Sequence, residues 1–147
     1  MATPQLSNQT ASQPVSIQQP IVFFDGECVM CNGFVDILLK VDPLGTILIA
    51  PLQGQTARQY LPPLPIDREA WSIYYRDESE LYDQSDAFIQ VCKRLGGVWS
   101  VFNAISLIPR TGRDRIYRFI ACNRYRLFGR RATCRMPSES ERKRFLP

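Results

Sequence analysis

The 147-residue chain has no histidine, no lysine or arginine before Lys40, and no apolar run long enough for a membrane span. Each absence removes a class of function. Without histidine, a Cys-x-x-Cys pair cannot be completed into a haem attachment motif, and Asn32 stands where that histidine would follow Cys31. A membrane helix needs roughly eighteen or more consecutive apolar residues, so no transmembrane segment is expected. An N-terminus without basic residues, and without an apolar segment before Ile21, fits neither a Sec-type signal nor an Arg-rich transit peptide. Five cysteines is an odd number, which disfavours a fully bridged secreted scaffold and leaves at least one thiol free. The expected location is therefore the reducing cytoplasm.

What the chain does have is enough apolar material for one core: 45% of its residues are hydrophobic and 11% aromatic. Residues 1–19 are uncharged and rich in Gln, Ser, Thr and Pro, and are expected to form a disordered tail. Residues 20–147 are expected to form a single domain whose part from about 98 to 147 is basic and helical.

The most informative feature is Cys28-Val29-Met30-Cys31. It lies between the apolar run Ile21-Val22-Phe23-Phe24 and an amphipathic stretch from Asn32 to Val41. The run reads as a buried strand, bounded by Pro20 and by Asp25-Gly26. The stretch reads as a helix with Phe34, Ile37, Leu38 and Val41 on one face, stopped at Asp42-Pro43. A thiolate, not a thiol, attacks a disulfide, and the free N–H groups and dipole of a helix N-terminus stabilise negative sulfur. Cys28 is expected to be the attacking cysteine, with a pKa in the range of about 3.5 to 7.5 found at such sites. Cys31, one turn deeper, is expected to resolve the mixed disulfide. No basic residue lies within ten positions of Cys28, so helix geometry is expected to supply most of the activation. Asp25, at the end of a buried strand, is expected to have a raised pKa and to carry the proton leaving Cys31.

Three plainer readings compete. A Cys-x-x-Cys can be half a zinc site, but Cys92, Cys122 and Cys134 form no second close pair, so no metal is expected. The haem reading fails on Asn32. The two cysteines can also be ordinary buried thiols, since free cysteine is often a small core residue. No cofactor is expected under the redox reading.

Further along, Thr46 to Ala50 reads as a second strand and Gln53 to Tyr60 as a short helix. Trp71 to Tyr75 and Glu80 to Tyr82 read as an antiparallel hairpin turning at Arg76-Asp77-Glu78-Ser79. Ser85 is expected to cap a helix carrying Phe88, Val91, Cys92 and Leu95 on its inner face, with Gly96-Gly97 behind it. Cys92 is thus expected in the core. The order β-α-β-α-β-β-α, with the cysteine pair after the first strand, is a thioredoxin-like topology: an α/β fold combining a parallel β-α-β unit and a hairpin in one mixed sheet.

The chain also resembles the DCC family of thiol-disulfide oxidoreductases, whose Asp-x-x-Cys-x-x-Cys string stands here as Asp25, Cys28 and Cys31. Ser85-Asp86-Ala87 is similar to that family's Ser-x-Ala element. Ile108-Pro109, Arg113 to Tyr117, Asn123 to Gly129 and Cys134-Arg135-Met136-Pro137 resemble its C-terminal half in order. The resemblance implies a thioredoxin-like fold and exchange of a dithiol for a disulfide with a protein or a small thiol. The chain departs from thioredoxins proper in Glu27, in Val29-Met30, and in having no proline directly before the third strand; Pro62, Pro63 and Pro65 are the nearest.

Charge is polarised along the chain. From Arg110 onward there are twelve basic residues against three acidic ones, net +9, whereas residues 1–109 carry net −5. Arg113 to Phe128 reads as an amphipathic helix with Ile116, Tyr117, Ile120, Ala121, Leu127 and Phe128 buried, and Ser138 to Glu141 as a capping box opening a last short helix. The basic face suggests an alternative function, a non-catalytic module docking an anionic membrane or acidic protein. An ordinary solvated face is the simpler reading. Nucleic acid is disfavoured, because Tyr125 and Phe128 fall at core spacing. Cys134, set among Arg130, Arg131 and Arg135, is expected to be either an idle thiol or a low-pKa partner for the pair.

Overall fold

The computed structural model describes residues 18–133 and 135–147. Nearly all of the N-terminal tail, and Cys134, therefore lie outside the described residues.

The first strand, β1 (Ile21–Phe24), is buried at all four positions, which is why its sequence is a continuous apolar run rather than an alternation. It lies inside a four-stranded sheet of order β2-β1-β3-β4. The second strand, β2 (Leu48–Pro51), runs parallel to β1; β3 (Tyr74–Arg76) runs antiparallel to it and pairs with β4 (Leu81–Asp83). With α1 (Val29–Val41), α2 (Gln55–Tyr60) and α3 (Gln84–Leu95), this is the thioredoxin-like arrangement expected. Alternate residues of β1 feed two cores. Val22 and Phe24 pack with Val35, Leu38 and Val91, while Ile21 and Phe23 pack on the other side with Leu52, Ala57 and Leu61.

Cys92 is buried, as expected. The inner face of α1, however, is Asn32, Val35 and Leu38, and Ile37 points outward. The helix begins at Val29, earlier than the apolar pattern indicates, and Asn32 is drawn inward because its side-chain amide bonds the carbonyls of Gly26 and Cys28, at 2.9 and 2.8 Å. That amide locks the turn between strand and helix.

Two features beyond the sheet position the site. A 3₁₀ segment, Gly97–Leu107, packs on α3 and leads into the long helix α4 (Arg110–Phe128). Ser85 lies in the first turn of α3 rather than at its cap, and its hydroxyl donates to Asp114 while Arg113 pairs with Asp86 at 2.7 Å. These contacts fasten the start of α4 to the start of α3. The expected inner side of α4 is corrected: Ile116, Ile120, Leu127 and Phe128 are exposed, and the buried residues are Ala121 and Arg124.

The last short helix does not form. Glu141 accepts the Ser138 N–H at 3.0 Å, as in a capping box, but the segment only turns and then extends along β2. Leu146 donates to the Ile49 carbonyl at 2.8 Å, and Arg144 reaches the Asp42 carboxylate at 2.7 Å. Gly54 is required there, because a Cβ would lie 2.8 Å from the Pro147 carbonyl carbon.

Candidate active site

Cys28 occupies the N-cap of α1, and its Sγ accepts the Cys31 backbone N–H at 3.3 Å. The Cys31 thiol also hydrogen-bonds the Cys28 sulfur, and this bond is the largest influence on both groups. It lowers Cys28 to about 7 against the opposing effect of burial, helped by the Cys31 N–H and by the charge of Arg124, and opposed by Asp25. The same bond, together with burial and the Cys28 charge, pushes Cys31 far upward. One sulfur is prepared to be a thiolate and the other to hold its proton.

The helix N-terminus is thus only part of the activation. Arg124 supplies a cation that is invisible from the local sequence, since it lies ninety-nine residues from the Asp25 it pairs with. Its Nη2 reaches Asp25 at 3.3 Å and the Arg68 carbonyl at 2.8 Å, and its Nη1 bonds the carbonyls of Trp71 and Ala121. A guanidinium this deeply buried is tolerated because a carboxylate and three carbonyls replace its water.

Asp25 is buried as expected, but the expectation of a raised pKa is reversed. Burial pushes its carboxyl up. The Tyr125 hydroxyl, the Glu27 N–H at 3.0 Å, the Gln53 amide at 2.8 Å and Arg124 outweigh that and hold it below the usual carboxylate range. Tyr125 is itself pushed up to about 12, so it stays a donor. A carboxyl bonded this way orients its neighbours and does not store a proton at neutral pH.

The structure brings Cys28, Cys31 and Asp25 together, and sequence reading missed Arg124 and Tyr125. The signal available was that Tyr117, Ala121 and Arg124 share one helical face, placing an arginine where an apolar residue belongs.

The site is closed on one side. Gly129, at φ +91°, ends α4 and turns the chain back over the cysteine turn. Arg130 forms a β-bridge with Cys28, the Arg131 N–H donates to the Glu27 carbonyl at 2.7 Å, and the Arg130 side chain pairs with the Glu27 carboxylate at 2.7 Å. Arg68 pairs with the same carboxylate, so the Glu27 charge does not oppose a thiolate. Under this strap Cys28 is 0% exposed. Cys31 instead lines a cavity of about 410 Å³ between α1, α3 and α4, whose walls are mostly apolar and include Phe34, Trp71, Phe88 and Tyr117. The Tyr117 hydroxyl accepts the Ile73 N–H at 2.8 Å just before β3. Among the described residues no three His, Cys, Asp or Glu side chains are grouped to hold a metal.

Residues 22–130 match the family model described as DCC1-like thiol-disulfide oxidoreductase. The chain is 40% identical over 133 residues to the Uncharacterized protein YuxK of Bacillus subtilis (strain 168), covering 89% of this chain and 96% of that protein. It is 28% identical over 123 residues to the DCC family protein At1g52590, chloroplastic, of Arabidopsis thaliana, covering 81% of this chain and 70% of that one. No solved structure matches it. The matched span includes Asp25, both cysteines of the pair, Arg124 and Tyr125.

Proposed function

This chain belongs to the DCC1-like thiol-disulfide oxidoreductase family, and we propose that it exchanges the Cys28–Cys31 dithiol for a disulfide on a protein or small-thiol partner, with no cofactor. The observation that carries this reading is the asymmetry of the pair: Cys28 caps α1 and is held acidic, while Cys31 is held protonated beside it.

The Cys28 thiolate attacks one sulfur of a partner disulfide. A Cys28–partner bond forms, the partner S–S bond breaks, and the leaving sulfur carries away the electron pair. Cys28 is then neutral, so the charge and hydrogen bond that raised Cys31 vanish and its thiol gives up its proton to solvent. Cys31 attacks Cys28 and expels the second partner thiolate, leaving the partner reduced and the pair oxidised. The reverse sequence oxidises a partner dithiol. Asp25 takes a positioning role, anchoring Arg124 next to both sulfurs. Because Cys28 is sealed, residues 129–131 lift before an outside disulfide reaches it. The odd number of cysteines supports a reducing compartment such as the cytoplasm as the working location.

Cys31→Ser tests this directly. The variant is expected to retain partners as mixed disulfides through Cys28, and Cys28→Ser to retain none, by non-reducing electrophoresis and mass spectrometry. Native Cys28 is expected to alkylate with a midpoint near pH 7. No trapped species and a midpoint near 9 would sink the proposal.

A further inference from the structure

Exposed apolar surface is not spread evenly over this protein. Of fifteen large apolar residues exposed among the described residues, nine fall between Val98 and Phe128, in the 3₁₀ segment, the loop after it and α4. On α4 the residues Ile116, Phe119, Ile120 and Leu127 follow i, i+3, i+4 and i+11 spacing, so they form one stripe along a helix of nineteen residues. Arg115, Arg118 and Arg126 repeat that spacing one residue earlier and form a cationic stripe beside it. Arg110, Arg113 and Arg124 are all engaged by carboxylates, whereas among the described residues no ion pair involves Arg115, Arg118 or Arg126. The apolar stripe runs to the redox site: Ile108, Ile116 and Ile120 are exposed and also line the cavity that reaches Cys31.

Nucleic acid offers phosphates but nothing to cover an aliphatic stripe, and a solvated face has no reason to hold Phe119 at 69% exposure. The boundary of an anionic bilayer offers both partners in one plane: acyl chains for the stripe, and headgroup phosphates for arginines whose long stems reach sideways. We propose that this face docks on an anionic lipid surface, with α4 lying in the plane of the headgroups, Arg115, Arg118 and Arg126 against lipid phosphates, and the mouth of the Cys31 cavity opening toward the acyl chains. The docking is peripheral, since among the described residues no helix is long and apolar enough to cross a membrane. Docking then holds the pair beside disulfides of proteins at the same surface, which reach Cys28 once residues 129–131 lift.

The test is sedimentation of the reduced 147-residue chain with vesicles of phosphatidylcholine alone and of an equal mixture of phosphatidylcholine and phosphatidylglycerol. Binding is expected to the mixed vesicles only, and to weaken with salt. Arg115→Gln with Arg118→Gln is expected to weaken it by about tenfold to thirtyfold, from about 1 kcal/mol per basic residue near the surface. Phe119→Asp with Leu127→Asp is expected to abolish it, and Leu44→Asp, exposed in the loop after α1, to leave it unchanged. Exchange with a soluble disulfide is expected to be the same in all of these variants. Cys28→Ser, which removes exchange, is expected to keep vesicle binding, so failure of the thiol chemistry and failure of docking are read separately. No sedimentation with mixed vesicles, equal sedimentation with neutral ones, or a concentration-dependent dimer dispersed by Phe119→Asp in the absence of vesicle binding would each overturn the proposal.

Discussion

The two sides of α4 use the same residue types for opposite ends. On the inner side Arg124 is 2% exposed and held by the Asp25 carboxylate and three backbone carbonyls; on the outer side Arg115, Arg118 and Arg126 are exposed beside exposed apolar residues. A buried charge is stable only when fixed partners replace its hydration, so the inner arginine is rigid and tunes the sulfurs. An exposed charge costs nothing to solvate and contributes little to stability, which leaves it available to a partner. The helix thus separates a tightly held buried arginine from an outer face left exposed to solvent.

The strongest way to break this comparison is to remove the inner charge. Arg124→Met leaves Asp25 buried without its cation, and is expected to cost about 3–5 kcal/mol in urea unfolding, whereas Arg118→Met is expected to change stability by less than about 0.5 kcal/mol. If both variants cost the same, the two sides do not differ as described. The Cys28 alkylation midpoint is also expected to rise in Arg124→Met and to stay near 7 in Arg118→Met.

A smaller effect is expected from Tyr125→Phe, which removes one donor to Asp25 and is expected to cost about 1–3 kcal/mol. Its acid limb sharpens the point. The Asp25 pKa is lower in the folded protein than in the unfolded chain, so its contribution is present above the unfolded value, near 3.9, and is lost as pH falls through the folded one. Stability measured against pH is therefore expected to fall less steeply below about pH 4 in Asp25→Asn than in the native protein. An unchanged slope would mean that the carboxyl is not held down.

The strap gives the next test. Glu27→Gln weakens the pairs with Arg130 and Arg68, and is expected to speed alkylation of Cys28 several-fold at a fixed pH above its midpoint without shifting that midpoint. A shifted midpoint at unchanged maximal rate would show that Glu27 acts on charge rather than access. Least of all, Phe119→Asp is expected to leave unfolding within about 0.5 kcal/mol of native, as for an exposed position.

Much of the core was legible because it rests on local pattern. The run at β1, the hairpin and the burial of Cys92 all follow from apolar spacing and turn residues a few positions apart. Errors appear where a polar side chain overrides the pattern. Asn32 faces inward because it ties the cysteine turn, which rotates α1 and leaves Ile37 outside. Arg124 faces inward because Asp25 and three carbonyls receive it, which leaves Ile116 and Leu127 outside. The end of the chain was misread for a related reason: edge pairing with β2 and the Arg144–Asp42 contact outweigh a capping box too short to sustain a helix.

The sequence by itself determined which sulfurs form the pair, which strand and helix hold them, and that the order of elements is thioredoxin-like, because these depend on residues within one or two turns of each other. Only the tertiary structure decided that Arg124 adds to the acidity of Cys28, that Asp25 stays ionised, and that the strap covers one sulfur while a cavity opens on the other. Those properties arise from groups about a hundred residues apart in the chain, whose fields and contacts exist only once α4 has folded back over the sheet.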